Sequence, residues 1–258
     1  MPVPTTRYRA GAPMSRYALK RWRRSRLGRR LLGAEEQELR QVLPELFGRC
    51  CLQIGNWAPP SRLLAAAGGF ATRSAIGSLP VDGIGGVVAL DRLPLLDKSV
   101  DAVLLPHTLE FCADPRHLLR ETSRALSDRG VMIVLGFNPW SPWGMRRGLG
   151  LGYRGFPDRS RFHGASRLCD WLELLGFEID LLRRYGFGGR GWPGPGDDTP
   201  MRRVLPAYLI LARKRVRPVT PVGRLRRAEV KSFVGGLALP EGRVARREST
   251  RDRLSDPT

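Results

Sequence analysis

The sequence predicts an α/β fold with a mostly parallel seven-stranded sheet, helices on both faces and an antiparallel strand pair at its C-terminal end. Two observations lead to this prediction. Short apolar runs alternate with helix-like stretches through the middle of the chain, as they do in parallel sheets joined by crossover helices. The last two apolar runs have no clear helix between them, and strands joined by a loop are most simply antiparallel.

Length and composition agree with this fold class. The chain has 258 residues, of which 42% are hydrophobic, enough for one large core. No apolar run approaches the roughly 20 residues that cross a bilayer, and no apolar stretch follows the basic N-terminus as a secretory signal requires. Four cysteines are too few for a disulfide scaffold and favour a reducing compartment. The sequence therefore predicts a cytoplasmic protein.

The positive charge is concentrated at the two ends of the chain. Lys and Arg number 44 against 24 Asp and Glu, a net charge of +20. Residues 1–33 hold ten basic residues and no acid, whereas residues 34–213 are nearly neutral. Residues 214–258 are again basic and lack apolar periodicity. We therefore expect a basic N-terminal segment (1–33), a central domain (34–213) and a basic, mostly disordered tail (214–258).

The basic ends suggest two kinds of partner. In Ser15–Gly33, tyrosine, tryptophan and leucine side chains are interleaved with arginines. Such a segment can lie on nucleic acid or on anionic lipid headgroups. It can equally be a solvated, frayed terminus that contributes only to solubility. The sequence alone leaves these alternatives open.

The first half of the central domain begins with a helix whose early glutamates suit a helix N-terminus and whose leucines share one face. Apolar runs that end at glycine or aspartate then predict strands, with one short helix between the first two. The predicted order is helix Ala34–Leu46, strand Cys50–Ile54, helix Ser61–Ala67, strand Thr72–Ile76 and strand Gly86–Leu90.

The second half carries the strongest signals. Asp114 and Pro115 form a clear helix start, and the most apolar run of the chain predicts a buried strand. The predicted order is strand Val100–Leu105, a helix from Asp114 through Leu126, strand Gly130–Phe137, helix Ser166–Leu175, and strands Phe177–Tyr185 and Val204–Ala212. In such sheets ligands bind beyond the carboxyl ends of the strands, which directs attention to Gly55, Asp91 and the Pro106-His107 pair.

One stretch resembles a known family. Val88–Phe111, VALDRLPLLDKSVDAVLLPHTLEF, has an acid after the third strand, a Leu-Pro pair, and a Val-Asp-Ala-Val strand followed by histidine. This order is similar to class I S-adenosylmethionine-dependent methyltransferases that act on small molecules. The resemblance extends over about residues 47–213. It implies a Rossmann-like fold, S-adenosylmethionine as cofactor and a small or apolar molecule as methyl acceptor.

The resemblance also implies roles for individual residues. Asp91 would accept a hydrogen bond from the adenine amino group, with Arg92 beside it, and Leu93 would flank the adenine ring. Pro106 and His107 would lie beside the reactive methyl group. His107 is the candidate catalytic residue because it could accept a proton from the acceptor.

The loop after the first strand departs from the family pattern. That pattern has an acid followed by three alternate glycines, whereas this chain has Gln53, then Gly55, Trp57 and Pro59. Gln53 and Asn56 would serve as neutral hydrogen-bonding substitutes. The alternative is a catalytically inactive, methyltransferase-like binding module.

Other chemistries are weakly supported. The loop IGNWAPP lacks the glycine spacing of a nicotinamide dinucleotide site, and the cysteines lack metal-ligand spacing, so we predict no metal site. Asn138–Arg147 is predicted to be a loop over the crevice, in which Trp140 and Trp143 either stack on a substrate or close the core. The oligomeric state cannot be predicted.

Overall fold

The computed structural model describes residues 16–80, 83–150, 156, 160–186 and 203–215. Within these residues the strands are β1 Gly48–Ile54, β2 Phe70–Gly77, β3 Gly86–Val87, β4 Val100–Pro106, β5 Leu126–Phe137, β6 Phe177–Tyr185 and β7 Ala207–Lys214. The helices are α1 Arg16–Arg24, α2 Arg26–Val42, α3 Pro60–Leu63, α4 Thr108–Phe111, α5 Pro115–Ala125, α6 Pro142–Gly148 and α7 Ala165–Leu174, with a 3-10 turn at Leu43–Glu45.

The described strands form one sheet in the order β3-β2-β1-β4-β5-β7-β6. The pairs formed among β1 to β5 are parallel, and β7 runs antiparallel to both β5 and β6. The predicted fold class is confirmed. The chain reverses its direction of winding between β1 and β4, which is the point where ligands bind in sheets of this kind.

Several predicted elements have different lengths in the structure. The third strand keeps only Gly86–Val87 of the predicted Gly86–Leu90, and the helix predicted for Ser61–Ala67 is the single turn Pro60–Leu63. Both segments are short and partly exposed, so local apolar pattern overestimates them. The last strand begins at Ala207 rather than Val204, after Pro206, whose ring cannot donate to a ladder.

The N-terminal region differs most from expectation. The helix predicted to begin at Ala34 begins at Arg26, because Ser25 caps it by accepting a hydrogen bond from the Gly28 amide at 3.0 Å. The boundary expected at residue 33 therefore lies inside α2. A frayed terminus is the wrong description of residues 16–33, since the side chains of Leu19, Trp22, Leu31 and Leu32 are buried.

The sheet separates two apolar layers. Alternate residues of β4 point into them, with Ala102 and Leu104 on one side and Val103 and Leu105 on the other. The first layer includes the buried side chains of α1 and α2, and the second includes those of α5 and α7. The N-terminal helices are thus one of the coverings that a parallel sheet requires.

Two expectations fall outside this description. The tail predicted for residues 214–258 lies beyond the described residues after Arg215. Among the described helices, none is long and apolar enough to cross a membrane.

Leu31→Ala should lower the free energy of unfolding by about 2–5 kcal/mol, because the fully buried side chain of Leu31 would leave a cavity under α2. Leu174→Ala is the control, since that leucine is 85% exposed and its loss should change stability by less than about 0.5 kcal/mol. Urea denaturation of both variants measures the difference. Equal stabilities would mean that the N-terminal helices are not part of the core.

Candidate active site

A cleft of about 270 Å³ lies at the carboxyl ends of β1, β2 and β4. Its walls come from the segments that follow β1, β2, β3 and β4, including α4 and the start of α5. The lining residues are Gly55, Asn56, Trp57, Ser78, Leu90, Asp91, Pro106, His107, Thr108, Phe111, Cys112, Ala113 and Asp114. Of the eight predicted site residues, the structure brings Gly55, Asn56, Asp91, Pro106 and His107 to the walls of this cleft.

The turn after β1 depends on Gly55. Its φ is +115°, a conformation that side chains rarely adopt, and a Cβ there would collide with the hydroxyl of Thr108. That hydroxyl donates to the carbonyl of Ile54 at 2.6 Å, which ties α4 to the end of β1. The retained glycine therefore allows β1 and the segment after β4 to approach closely.

Asn56 and Gln53, the two polar side chains that replace residues of the family pattern, form hydrogen bonds within the protein. Asn56 donates to the carbonyl of Leu79 at 2.8 Å and accepts from the Leu79 amide and the Ser78 hydroxyl. Gln53 is buried and donates to the carbonyl of Ala58 at 2.8 Å. The Gln53 Oε1 atom is buried and lacks a hydrogen-bond partner among the described residues. Both side chains shape the loop, and Gln53, which is fully buried, does not line the cleft.

The segment after β3 places its three candidates differently. Asp91 is exposed at the rim of the cleft, and its backbone carbonyl accepts a hydrogen bond from Nε2 of His117 at 2.6 Å. Arg92 is exposed but does not line the cleft, and Leu93 is buried in the layer that holds α5. Leu90, rather than Leu93, is the leucine on the cleft wall.

His107 sits at the end of β4 with an unusual backbone. Its φ of +50° lies in the left-handed region, which costs on the order of 1 kcal/mol for a residue with a side chain. The imidazole is fully buried and stacks on Phe137, with ring centroids 3.8 Å apart. Surrounding contacts thus hold the ring in one position although it belongs to the cleft wall.

Two buried carboxylates flank this imidazole. His107 Nε2 lies 2.7 Å from Oε1 of Glu35, and Nδ1 lies 3.5 Å from Oε1 of Glu110, a distance of ion pairing rather than of hydrogen bonding. Glu110 also accepts the amide of Phe137 at 2.8 Å. Glu35 accepts the indole N–H of Trp57, which is 3.1 Å from each of its oxygens. Glu35 therefore connects α2 to the loop after β1 and to the end of β4.

The charge state of His107 follows from these neighbours. Burial alone would lower the pKa of His107, but the negative charge of Glu35 and the contacts with Glu110 and Glu35 outweigh it and raise the pKa to about 9. The imidazole is therefore positively charged at neutral pH. Burial, reinforced by Glu35, Glu38 and Glu110, raises the pKa of the Tyr185 phenol well above its usual range.

Sequence analysis did not find Glu35 as a site residue and took it for a helix N-terminus. The available signal was its position, since it lies four residues from both Leu31 and Leu39 and therefore on the apolar stripe of α2. A carboxylate on that stripe requires a buried partner. The partner, His107, is 72 residues away in the chain, and no local pattern indicates such a pairing.

Trp57 occupies the position where the family pattern has its second glycine. Its side chain is buried, with its ring centroid 4.5 Å from that of His107 and 5.6 Å from that of Phe137. Phe156 and Trp143 continue this aromatic cluster on the far side of Phe137. Of the two tryptophans predicted over the crevice, Trp143 closes the core, whereas Trp140 is 73% exposed and lines a separate groove.

The cleft fits an adenosyl group on two observations. Its volume is close to the lower end of the roughly 300–1,000 Å³ of small-molecule sites. The Asp91 carboxylate stands at its rim without an ion pair or hydrogen bond among the described residues, so it can accept from an amino group. The indole of Trp57 is also part of the lining.

This strand order, with a cleft at the carboxyl ends of β1, β2 and β4, defines the class I methyltransferase architecture. A family model described as a methyltransferase domain matches residues 82–134. Over 193 residues the chain is 36% identical to the uncharacterized protein YafS of Escherichia coli (strain K12), covering 72% of this chain and 77% of YafS. It is 32% identical over 195 residues to the uncharacterized protein Rv2003c of Mycobacterium tuberculosis, covering 70% of this chain and 65% of the relative.

Solved structures share the fold at lower identity. An S-adenosylmethionine-dependent methyltransferase from Thermotoga maritima superposes with a TM-score of 0.57 at 21% identity, covering 76% of this chain and 94% of that one. A Haloferax volcanii methyltransferase, solved with the Trm112 methyltransferase activator, superposes with a TM-score of 0.55 at 15% identity. The match covers 78% of this chain and 95% of that one. The chain belongs to the class I S-adenosylmethionine-dependent methyltransferase family, whose cofactor is S-adenosylmethionine.

The pKa of His107 should be about 9, well above the ordinary value for histidine. The protein has three histidines, so imidazole NMR signals can be assigned with a His107→Gln variant. His163 provides an internal contrast, because burial lowers its pKa. A His107 midpoint below 6.5 would contradict the buried ion pair.

Glu35→Gln should lower the pKa of His107, because Glu110 would then be the remaining carboxylate that opposes the effect of burial. A raised folded pKa contributes stability that is complete below about pH 6.5 and is lost as pH rises through about 9. In the parent protein this contribution to the free energy of unfolding is on the order of 3 kcal/mol. Glu36→Gln is the matched control, since its half-buried carboxylate pairs with Arg62 instead. Identical stability–pH slopes for the two variants would contradict the pairing.

Proposed function

We propose that this protein transfers the methyl group of S-adenosylmethionine to a small or apolar acceptor. The observation that carries the proposal is the cleft at the carboxyl ends of β1, β2 and β4, which has an exposed carboxylate at one end and a glycine turn at the other. Membership of the methyltransferase family supports the same reaction type.

Different residues of the cleft would contact different parts of the cofactor. Asp91 would accept from the adenine amino group, Leu90 would cover the ring, and Gly55 and Pro106 would line the ribose side. Gln53 contributes its buried Oε1 beside the loop after β1. Arg92, exposed outside the cleft lining, would contact the cofactor only from beyond the rim, and Leu93 would support the wall from within the core.

When bound, S-adenosylmethionine supplies a methyl group on a positively charged sulfur, an electrophile that needs no further activation. The protein's contribution is then alignment of the acceptor and exclusion of water. The aromatic cluster of Trp57, Phe137, Trp143 and Phe156 makes the region beside His107 dry. Such surroundings favour an apolar acceptor over a highly charged one.

His107 is proposed as the catalytic residue that takes up a proton. Because Glu35 and Glu110 keep it charged, it can accept a proton only after losing its own, and the proportion of neutral imidazole rises with pH toward about 9. Its ring is fully buried behind Trp57 and Phe137. An acceptor therefore reaches the imidazole only when one of these covering side chains moves.

A second candidate function, an inactive methyltransferase-like binding module, rests on Trp57. Its indole is locked against Glu35 where the family pattern has no side chain. If that indole excludes the methionine part of the ligand, the cleft would hold an adenosine-like ligand or none. Cofactor titration separates the two functions.

We also propose that the protein acts in the cytoplasm, since its four cysteines are free thiols and a reducing compartment keeps thiols free. Binding of the basic ends to an anionic partner likewise stays a proposal. Contact of the basic ends with nucleic acid or an anionic membrane concerns in part residues 216–258, outside the described residues.

Isothermal titration should detect S-adenosylmethionine binding to the full chain. Asp91→Asn should weaken binding about tenfold, because a hydrogen bond to a charged acceptor becomes one to a neutral acceptor. Asp170→Asn, at an exposed position on α7, is the matched control and should leave the affinity unchanged. No binding at millimolar cofactor would favour the binding module, and equal effects of both substitutions would reject the role of Asp91.

A further inference from the structure

Half of the exposed large apolar side chains lie on or beside the helices α1 and α6. Among the described residues, eight large hydrophobic side chains are exposed, and four of them lie on α1, on α6 or beside α6. These four are Tyr17 (77%), Trp140 (73%), Met145 (56%) and Leu149 (74%). The other four, Phe47, Val87, Leu96 and Leu174, are on other elements.

One buried ring contacts both helices. Trp22 of α1 meets Phe156 edge-on, with centroids 4.9 Å apart, and Trp143 of α6 meets the same ring at 5.0 Å. Both tryptophans are buried, whereas other side chains of α1 and α6 are exposed. We call the exposed side chains of residues 17–24 and 140–149, on two helices that pack against the same ring, the α1–α6 face.

The charge of this face has one sign. Lys20, Arg21 and Arg24 are exposed on α1, and Arg146 is exposed on α6. The sequence contains no Asp or Glu in residues 1–34 or in residues 129–157. The face thus combines exposed apolar side chains with exposed cations and lacks acids of its own.

This combination fits an anionic lipid surface better than nucleic acid. Cations attract both, but base stacking uses aromatic rings, whereas the aliphatic side chains of Met145 and Leu149 gain only from an apolar phase. Tryptophan and tyrosine favour the headgroup level of a bilayer. Trp140, Met145 and Leu149 also line a groove of about 890 Å³, whose lining includes Phe162.

We propose that the α1–α6 face attaches the protein peripherally to an anionic membrane, with lysine and arginine contacting lipid headgroups and Met145, Leu149 and Trp140 entering the interface. The attachment is independent of whether the cleft transfers methyl groups. Two interactions would contribute to this attachment: electrostatic attraction to anionic lipids and burial of apolar side chains in the interface.

The test is co-sedimentation of the full chain with phosphatidylcholine vesicles that contain either roughly one phosphatidylglycerol in three lipids or none. Binding is expected to the anionic vesicles and to weaken strongly at high salt. A Lys20→Gln, Arg21→Gln, Arg24→Gln variant should bind at least about tenfold more weakly. The control, Arg73→Gln, Arg120→Gln, Arg129→Gln, removes three exposed arginines elsewhere and should bind distinctly better than the α1 variant.

The apolar part of the proposal has its own test. Met145→Gln, Leu149→Gln should also weaken vesicle binding about tenfold, while Leu174→Gln, at an exposed leucine outside the face, should not. Quenching of tryptophan fluorescence by brominated lipid should be reduced in Trp140→Phe. Circular dichroism confirms that each variant is folded.

Three outcomes would overturn the proposal. The parent chain binds a labelled RNA or DNA duplex but not anionic vesicles, which assigns the charge to nucleic acid. The α1 and α6 variants bind vesicles as the parent does, which assigns binding to another part of the chain. The charge variant loses binding while Met145→Gln, Leu149→Gln retains it, which removes the apolar contact with the interface.

Discussion

A buried ion pair between Glu35 and His107 connects the N-terminal helices to the end of the sheet that carries the cleft. Both side chains are fully buried, and burial of two charges is unfavourable unless each is paired and hydrogen-bonded. Glu35 meets this condition because it also accepts the indole N–H of Trp57. Loss of one partner would leave the other as an isolated buried charge, so α2, the loop after β1 and the end of β4 have to keep their relative positions.

This pairing also explains how the chain tolerates an altered glycine loop. Trp57, which replaces a glycine of the family pattern, is buried against His107 and Phe137 instead of projecting into solvent. Gly55 keeps the positive φ that the turn requires, and Asn56 joins the ends of β1 and β2 through three hydrogen bonds. Side-chain contacts thus hold this loop in place of the missing glycines, and a cleft remains beside Gly55 and Asp91.

The sequence predicted the sheet well and the N-terminal part of the site poorly, for physical reasons. Strands such as β4 and β5 are buried on both faces and therefore consist of nearly continuous apolar residues, which can be recognised locally. Glu35 acquires its role only through a partner 72 residues away. Likewise, the arginines of residues 16–33 dominated the pattern, although Leu19, Trp22 and Leu31 on the opposite side of the helices are buried. Leu93 was assigned to the adenine ring from the resemblance alone; in the structure it is buried in the layer that holds α5, and Leu90 lines the cleft.

The most direct test is a crystal structure of the full chain with S-adenosylhomocysteine, the product form of the cofactor. We expect the adenine ring between Leu90 and the Asp91 carboxylate, the ribose beside Gly55, and His107 still paired with Glu35. A structure in which Trp57 fills that volume and the ligand is bound elsewhere or not at all would contradict it.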